Sequence, residues 1–273
     1  MNCNICNSPA TFFYKGNVLN KYSIEYFKCS SCGFIQTEKP YWLNEAYSDA
    51  IAQLDIGLVE RNIALASLTE KVLLNFYSSA NYCIDYGGGY GLFVRMMRDR
   101  GFQFYRYDTY CQNLFALHFD FKDSTVKKFD ILTAFEVFEH LANPLEEIEK
   151  MLEMSDNLIF STIIAPVSSN EFDKWWYRAP LSGQHVSFYT IDSLKLIAKK
   201  YGKHFYSNNQ NFHIISGKEI DDKALNDIFF PPKSSLISRI VNKLSRKQSY
   251  SYRKSLQETD YKFIEQEALK QIK

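Results

Sequence analysis

The stretch Asp85-Tyr86-Gly87-Gly88-Gly89-Tyr90-Gly91 decides the fold of this 273-residue chain. It follows the apolar run 82–84 and leads into the apolar run 92–94. The pattern therefore predicts a strand, a glycine turn and the start of a helix. Glycine suits such a turn because the backbone needs positive φ angles there, and because a missing Cβ lets backbone N–H groups approach a ligand. The stretch predicts a site for a nucleotide-type cofactor, with a ligand-free glycine turn as the alternative.

The spacing of the glycines separates two classes of cofactor. A dinucleotide-binding turn requires G-x-G-x-x-G, in which the third glycine allows close packing of helix on strand. Counting from Gly87 and Gly89 puts Leu92 at the third place. Counting from Gly89 and Gly91 puts Val94 there. The spacing therefore disfavours a nicotinamide-dependent oxidoreductase. Such an enzyme would change the fluorescence of reduced nicotinamide when the two are mixed.

The acid-x-Gly-x-Gly-x-Gly pattern instead resembles motif I of the class I S-adenosylmethionine (SAM) methyltransferases. In that family the turn surrounds the methionyl and ribose part of SAM, and an acidic residue after the next strand binds the ribose hydroxyls. The matching strand here is 102–107, and it ends at Asp108. A carboxylate suits this position because it can accept two hydrogen bonds from a diol.

A second match to the same family lies downstream, at 129–144. The predicted buried strand 129–135 is followed by the segment EVFEHLANP at 136–144, which resembles a segment common in one large branch of the same family. The resemblance places Phe135 and Glu136 beside the cofactor, at the carboxyl end of the strand, where open α/β sheets bind ligands. The full set of cofactor-binding residues that the two matches imply is Asp85, Gly87, Gly88, Gly89, Gly91, Asp108, Thr109, Phe135 and Glu136.

Two further residues of this segment, Glu139 and His140, are candidates for catalysis. A histidine can exchange a proton near neutral pH, and a carboxyl group can act beside it as an acid or base. The alternative is that both residues cap a helix or fix a loop, which is common for an acid and a histidine in the first turn of a helix.

Four of the six cysteines form two C-x-x-C pairs, Cys3 with Cys6 and Cys29 with Cys32. Two thiolates on one tight turn can point at the same ion, and two such turns complete a tetrahedral zinc site. Disulfides are the alternative, which is disfavoured in a chain of cytosolic character. Four thiolates leave no open position at the metal, so we expect a structural zinc.

The zinc motif and motif I together are similar to a group of bacterial methyltransferases that carry a small zinc-binding domain. Many of them act on nucleotide-linked sugars or other precursors of surface polysaccharides. The resemblance implies an α/β fold with a Rossmann-like, mostly parallel sheet of seven strands. We accordingly predict a zinc ribbon at 1–40, a helical connector at 41–79, a SAM-binding domain at 80–218 and a basic helical extension at 219–273.

The segment before the helix that begins at Ile191 is the predicted acceptor site. It contains Trp175, Trp176, Tyr177 and Arg178. Aromatic side chains can stack on a ring, and a guanidinium can bind an anion. We therefore expect a small-molecule acceptor, nucleotide-linked or phosphorylated, with a hydrophobic flap on the sheet edge as the alternative.

His185 is the predicted general base, because a histidine can remove a proton from a hydroxyl group near neutral pH. The segment 184–190 resembles one in zinc-bearing sugar C-methyltransferases, where a Tyr-His-Glu-His cluster serves deprotonation next to a ketone. The corresponding positions here are Ser182, Gly183, Gln184 and His185, so only the last histidine is shared. We predict O-methylation, with sugar C-methylation or an orienting role for His185 as alternatives.

Composition and charge limit the remaining classes. The formal net charge of +1 provides no global attraction to nucleic acid. A binding module for RNA or protein, with a degenerate methyltransferase domain, is the alternative of another class. No run approaches the roughly 18 consecutive apolar residues of a membrane span, and the N-terminus lacks the pattern of a signal peptide. We therefore expect a cytoplasmic protein.

The C-terminal extension is basic over 233–257. Its apolar residues recur at helical spacing, which predicts a helix with basic flanks. Such a helix would pack on its own domain, on a second copy in a homodimer or on a membrane surface. The apolar residues are Leu236, Ile237, Ile240, Val241 and Leu244.

Overall fold

The computed structural model describes residues 1–47, 55–231 and 253–271, and these form two β-sheets flanked by α-helices. The strands are β1 (Ala10–Val18), β2 (Tyr22–Cys29), β3 (Ile35–Thr37), β4 (Tyr82–Tyr86), β5 (Gln103–Tyr107), β6 (Ile131–Ala134), β7 (Leu158–Ser161), β8 (Ser187–Phe188), β9 (His204–Ser207) and β10 (Phe212–Ser216). The α-helices are α1 (Leu43–Ala46), α2 (Leu58–Phe76), α3 (Leu92–Asp99), α4 (Pro144–Met154), α5 (Ser169–Lys174), α6 (Ile191–Lys200), α7 (Asp222–Phe229) and α8 (Gln257–Gln271).

The larger sheet has six strands in the order β5-β4-β6-β7-β10-β9. Strands β4 to β7 are parallel, whereas β10 runs antiparallel to both of its neighbours. The predicted α/β class with a mostly parallel sheet is confirmed. The prediction of seven strands is corrected to six within the described residues. At the β5 edge the following chain forms only an isolated bridge, between Arg106 and Asp120.

Helices cover both faces of this sheet, which is why its central strands are short apolar runs rather than alternating ones. Strands β6 and β7 are buried along their whole length. On one face, α2, α3 and α7 pack through residues such as Val72, Phe93 and Leu225. On the other face, α4 and α6 pack through Ile148 and Leu194. The carboxyl ends of the parallel strands are thereby left open at one edge.

The smaller sheet, in the order β1-β2-β3-β8, combines the N-terminal hairpin with a strand from far along the chain. Strand β8 pairs antiparallel with β3, with Ile35 opposite Phe188. A third apolar cluster joins Tyr26 and Ile35 to Phe172 and Phe188. The predicted N-terminal ribbon therefore shares one sheet and one core with the segment that contains His185.

The C-terminal helix α8 is anchored by a buried ion pair. Arg98 donates from Nε to Asp260 Oδ2 at 2.8 Å and from Nη2 to Oδ1 at 2.6 Å. Arg95 adds a contact at 2.9 Å, and Asp260 is only 3% exposed. Close packing continues at Gly101, where an added Cβ would lie 2.5 Å from the Cβ of Arg253. The end of the extension thus packs on α3 and on the turn between α3 and β5.

The predicted apolar stripe of the extension lies outside the described residues. No helix in the part of the chain that the structure describes is long and apolar enough to cross a bilayer.

The ion pair allows a stability test. Asp260→Ala leaves Arg98 buried without its bidentate partner, so we expect the free energy of unfolding to fall by about 3 kcal/mol in urea denaturation. The control is Glu258→Ala, on the exposed side of the same helix, where the loss of ion pairs with Lys262 and Lys254 should cost about 0.5 kcal/mol. Equal effects of the two substitutions would contradict the anchoring role of Asp260.

Candidate active site

The carboxyl ends of β4, β5 and β6 open into a cleft of about 1270 Å³. The predicted site residues that line this cleft are Asp85, Gly87, Gly88, Gly89, Asp108, Thr109, Phe135, Glu136, His140, Trp176, Tyr177 and His185. The predicted residues Gly91, Glu139, Trp175 and Arg178 are not among its lining. The topology thus brings together most of the predicted site from five separate segments of the chain.

The glycine turn has the backbone that its sequence predicts. Gly87, Gly89 and Gly91 have φ angles of 69°, 52° and 85°, which side chains other than glycine rarely adopt. An added Cβ at Gly87 would lie 2.6 Å from Cγ2 of Val137. Gly91 is the N-cap of α3 in a left-handed conformation. The turn therefore leads directly from β4 into α3 and keeps the floor of the cleft free of side chains.

Asp85 lies buried beneath this turn. The hydroxyl of Thr133 donates to its Oδ1 at 2.6 Å, and an added Cβ at Gly88 would lie 2.9 Å from its Oδ2. Burial raises the pKa of Asp85 to about 7. Asp85 thus supports the turn from below and can accept a hydrogen bond from a cationic ligand group at the same time.

Asp108 closes the other side of the turn. Its Oδ2 accepts from the backbone N–H of Gly89 at 2.9 Å. Its Oδ1 accepts from the N–H groups of Tyr110 at 2.8 Å and Cys111 at 2.7 Å. A carboxylate has about four lone-pair positions, so acceptor capacity remains for a ligand hydroxyl. The carboxylate is held in one orientation where β5 ends, as a diol-binding residue requires.

A buried arginine in β5, Arg106, connects the glycine turn to the loop that follows Asp108. Its Nε donates to Gly89 O at 2.6 Å and its Nη1 donates to Asp120 Oδ1 at 2.6 Å. Its Nη2 donates to Cys111 O. The only signal for Arg106 in the sequence is a cation inside the otherwise uncharged run FQFYRY. Its contacts show that it fixes the turn and the Asp108 loop together.

Glu136 lies at the end of β6 with a φ of 54°, an unusual value for a glutamate. Ser161 Oγ donates to its Oε1 at 2.6 Å, and desolvation raises its pKa. Arg61 Nε lies 3.8 Å from its Oε2, while the same guanidinium pairs with Asp55 at 2.7 Å. Helical periodicity gives no signal for the Arg61 contacts, because they depend on how α2 packs over the sheet.

His185 projects from the segment before β8 and is partly buried. Its Nδ1 lies 2.6 Å from the backbone carbonyl oxygen of Tyr177. Because a carbonyl only accepts, Nδ1 must carry the proton, and Nε2 keeps its lone pair. Desolvation lowers the pKa of His185 to about 4. The side chain is therefore a neutral imidazole at physiological pH, with one nitrogen available as an acceptor.

His140 lies beside His185, with the two ring centroids 4.8 Å apart. Its Nδ1 is 2.9 Å from the hydroxyl of Tyr47, and desolvation lowers its pKa well below the ordinary value. The two histidines and Tyr47 thus form a neutral polar patch on the wall of the cleft. A hydroxyl group of a ligand could hydrogen-bond to this patch.

Glu139 lies behind this patch and is 0% exposed. Neither carboxyl oxygen makes a hydrogen bond of regular geometry, although the hydroxyls of Tyr177 and Thr162 adjoin it. Desolvation raises its pKa well above the ordinary value. With His140 and His185 it offers three ligand atoms within 4.8 Å of one another. Glu139 thus lies behind the wall of the cleft and is not part of its lining.

The predicted acceptor residues separate into two groups. Trp176 stands at the cleft mouth and is 74% exposed. Trp175 packs instead against Phe172 and Phe188, with ring centroids 5.9 and 5.7 Å away. Arg178 lies 4.9 Å from the ring centroid of Tyr14 in the N-terminal sheet. An anion-binding role for Arg178 in the cleft does not fit this placement.

The charged residues that line the cleft determine whether it can bind the phosphate group of an acceptor. Among the described residues that line it, the cationic ones are Arg61 and Lys150. Arg61 is paired with Asp55 at 2.7 Å, and Lys150 is paired with Glu147 at 2.5 Å. The described lining therefore provides no unpaired cation for a phosphate group.

The four predicted metal ligands converge away from the cleft. Sγ–Sγ distances are 3.7 Å for Cys3–Cys32, 3.4 Å for Cys6–Cys29 and 3.6 Å for Cys6–Cys32. Bonds of about 2.3 Å from sulfur to zinc at tetrahedral angles require sulfurs roughly 3.8 Å apart. Backbone N–H groups of Ser31 and Cys32 point at Cys29 Sγ at 3.4 Å. The donor set and its spacing fit a tetrahedral zinc ion.

This geometry predicts the metal content of the protein. We expect elemental analysis to find one zinc per chain, and Cys32→Ser to lose most of it, because three thiolates hold zinc less tightly than four. The matched control is Cys111→Ser, a cysteine outside the cluster, which should keep its zinc. A folded native protein without zinc would contradict the assignment.

A sequence comparison with protein families matches residues 59–204 to a model described as a methyltransferase domain. No curated protein matches the sequence. Similar solved structures include the mitomycin 7-O-methyltransferase MmcR, with 15% identity and a TM-score of 0.41 over 64% of this chain and 59% of that one. The chain thus spans about three fifths of that enzyme's length.

Two other similar structures have comparable scores. An O-methyltransferase family protein from Burkholderia thailandensis has 11% identity and a TM-score of 0.46 over 65% of this chain and 64% of that one. The plantazolicin methyltransferase BpumL, in complex with SAH, has 9% identity and a TM-score of 0.42 over 66% of this chain and 95% of that one. The family match, in contrast, spans more than half of the chain, so this protein belongs to the methyltransferase domain family.

Proposed function

We propose that this enzyme transfers a methyl group from SAM to a hydroxyl oxygen of a small molecule in the cleft at the carboxyl ends of β4, β5 and β6. The observation that carries the proposal is the placement of a neutral imidazole, His185, in the same cleft as the glycine turn and Asp108. One side of the cleft has the groups for a nucleoside cofactor, and the other has an acceptor for a proton.

The cofactor half rests on residues whose orientation is fixed before binding. Asp108 would accept from the ribose hydroxyls, since three backbone N–H groups already orient its carboxylate. Asp85 and the glycine turn would hold the methionyl end, and Phe135 and Glu136 would border the cofactor at the end of β6. Bound SAM supplies an electrophilic methyl group on a sulfonium that leaves as a neutral thioether.

The acceptor half provides the base. His185 Nε2 would take the proton from the acceptor hydroxyl while the oxygen forms its bond to the methyl carbon. The hydrogen bond from Nδ1 to Tyr177 O fixes the ring and the tautomer for this role. The neutral thioether is a good leaving group, so positioning of the two reactants contributes most of the rate. His140 and Tyr47 would orient the same hydroxyl from the side.

A hydroxylated ring compound fits the acceptor half, with Trp176 as a stacking surface at the mouth. Sugars and precursors of surface polysaccharides belong to this class. A nucleotide-linked or phosphorylated sugar would have to leave its phosphates in solvent, because the described lining cations are already paired. C-methylation of a ketone is disfavoured, because Ser182, Gly183 and Gln184 occupy the positions of the other members of the deprotonating cluster.

The glycine turn tests the cofactor assignment. Gly89→Val places a β-branched side chain at a φ of 52° in the floor of the cleft, so we expect at least a hundredfold loss of SAM affinity by calorimetry. The matched control is Gly202→Val, at a φ of 63° in a turn with open space around it. It carries similar backbone strain and should bind SAM normally. Normal SAM binding by the Gly89 variant would exclude this site.

His185 tests the acceptor assignment, once a screen of hydroxylated sugars by SAM-dependent mass gain has given an acceptor. We expect His185→Ala to lower kcat about a hundredfold at unchanged SAM affinity. The exposed His204→Ala is the control and should retain full activity.

The pH profile adds a second readout. A base must be unprotonated, and the pKa of His185 is lowered to about 4. Turnover should therefore persist well below pH 6.5, where an exposed histidine would already have lost its function. A near-wild-type kcat in His185→Ala would remove this residue as the base.

A further inference from the structure

We infer that zinc at the four-cysteine site positions the acceptor half of the cleft, and His185 in particular, while leaving the cofactor half independent of the metal. This inference rests on the proposed function for its consequence on turnover. Its structural part rests on a chain of contacts that runs from the cysteines through β3 and β8 to His185.

The first contacts join the cysteine cluster to the segment after β8. The hydroxyl of Thr190 donates to the carbonyl oxygen of Cys32 at 2.6 Å. Gly33 follows with a φ of 71°, and an added Cβ there would lie 3.1 Å from Cγ2 of Thr190. Phe34 packs on Tyr189 with ring centroids 5.0 Å apart. The turn that carries Cys29 and Cys32 is therefore in direct contact with the methyltransferase domain.

The next contacts reach the residue adjacent to His185. Strand β8 lies at the edge of the smaller sheet, so among the described strands its partner is β3. The N–H of Thr37 donates to the carbonyl oxygen of Val186 at 3.1 Å. The N–H of Val186 donates to Glu139 O at 2.8 Å. The ribbon and the backbone carbonyls of Glu139 and Leu141, which accept from Val186 and Ser187, therefore hold the backbone next to His185 together.

Further contacts tie the rest of the acceptor segment to the N-terminal residues. The N–H of Leu19 donates to Pro180 O at 2.8 Å. The indole of Trp42 donates to Gly183 O at 2.8 Å. Tyr14 packs under Arg178. The contact with Tyr14 explains why Arg178, although it lies in the acceptor segment, faces the ribbon rather than the cleft.

The cofactor half has a different support. Strand β4 is paired on both sides, with β5 and with β6. The glycine turn and the Asp108 loop are joined by Arg106. None of these hydrogen bonds involves the four cysteines, although Cys3, Cys29 and Cys32 share an apolar cluster with Ile84 of β4. Loss of the metal would remove binding free energy from the ribbon, since zinc sites of this type contribute directly to folding, but it leaves the supports of the cofactor half in place.

Hydrogen–deuterium exchange on the full-length protein tests this inference. Zinc is removed with a chelator and then restored, and exchange is compared at the amides of Thr37 and Val186 and at the amides of β4. We expect removal to speed exchange at the first two about tenfold or more, with less than a twofold change in β4. SAM affinity should stay within about threefold, and added zinc should restore the original rates.

Variants separate metal loss from damage to the protein. Cys32→Ser should reproduce the exchange pattern of the chelated protein, whereas Thr11→Ala, an exposed change in the same hairpin, should leave exchange unchanged. Turnover should fall about a hundredfold on zinc removal, because a small displacement of a catalytic group is costly.

Two results would overturn the inference. One is unchanged exchange at Val186 after the metal is gone. The other is faster exchange throughout, including β4, with loss of SAM binding, which would make zinc a global stabiliser. If instead the exchange pattern is as expected but neither form methylates an acceptor, the proposed function fails and the coupling stands.

Discussion

The site depends on one buried cation. The guanidinium of Arg106 bonds the backbone of the glycine turn, the carboxylate of Asp120 and the backbone of Cys111 at the same time. Its burial is tolerated because these acceptors satisfy it, and removing Asp120 would leave the buried guanidinium without its close anionic partner. The turn after β4 and the loop after β5 therefore cannot shift independently. The cofactor half of the cleft is organised before any ligand binds, which lowers the entropic cost of binding.

The acceptor half of the cleft is held in place by the smaller sheet rather than by a buried cation. Part of its wall comes from a long segment after β7 that has little regular structure of its own, and β3 of the N-terminal sheet pairs with that segment at β8. In the proposed function, cofactor and acceptor would meet where a parallel sheet and an added β-ribbon face each other. Such an arrangement lets the acceptor wall vary in sequence while the parallel sheet is kept, as expected when function resides in segments attached to a common fold.

Much of the proposed cofactor site could be predicted from the sequence because the features that build it are local. The glycines need positive φ angles within one turn, and Asp108 follows directly after a predicted strand. The cysteine pairs are equally local. The direction in which Arg178 points could not be predicted, because it depends on Tyr14, more than 150 residues away in sequence. The same holds for the pairing of β8 with β3.

The number of strands and the lowered pKa of His185 also depend on long-range packing, so the sequence could not predict them. An isolated bridge takes the place of a seventh strand because the chain after β5 forms turns around Asp108 and Asp120 instead of extending. Desolvation of His185 follows from the residues that cover it, which come from separate segments. Sequence motifs therefore predicted which residue types meet in the cleft. Long-range packing determines their protonation and which of them face the ligand.

The measurement that tests the central claim most directly is a crystal structure of the protein with S-adenosylhomocysteine. We expect the ribose hydroxyls to lie within hydrogen-bond distance of Asp108, and the thioether sulfur to lie between the glycine turn and His185. Binding of the ligand elsewhere, or a sulfur that faces away from His185, would contradict the central claim.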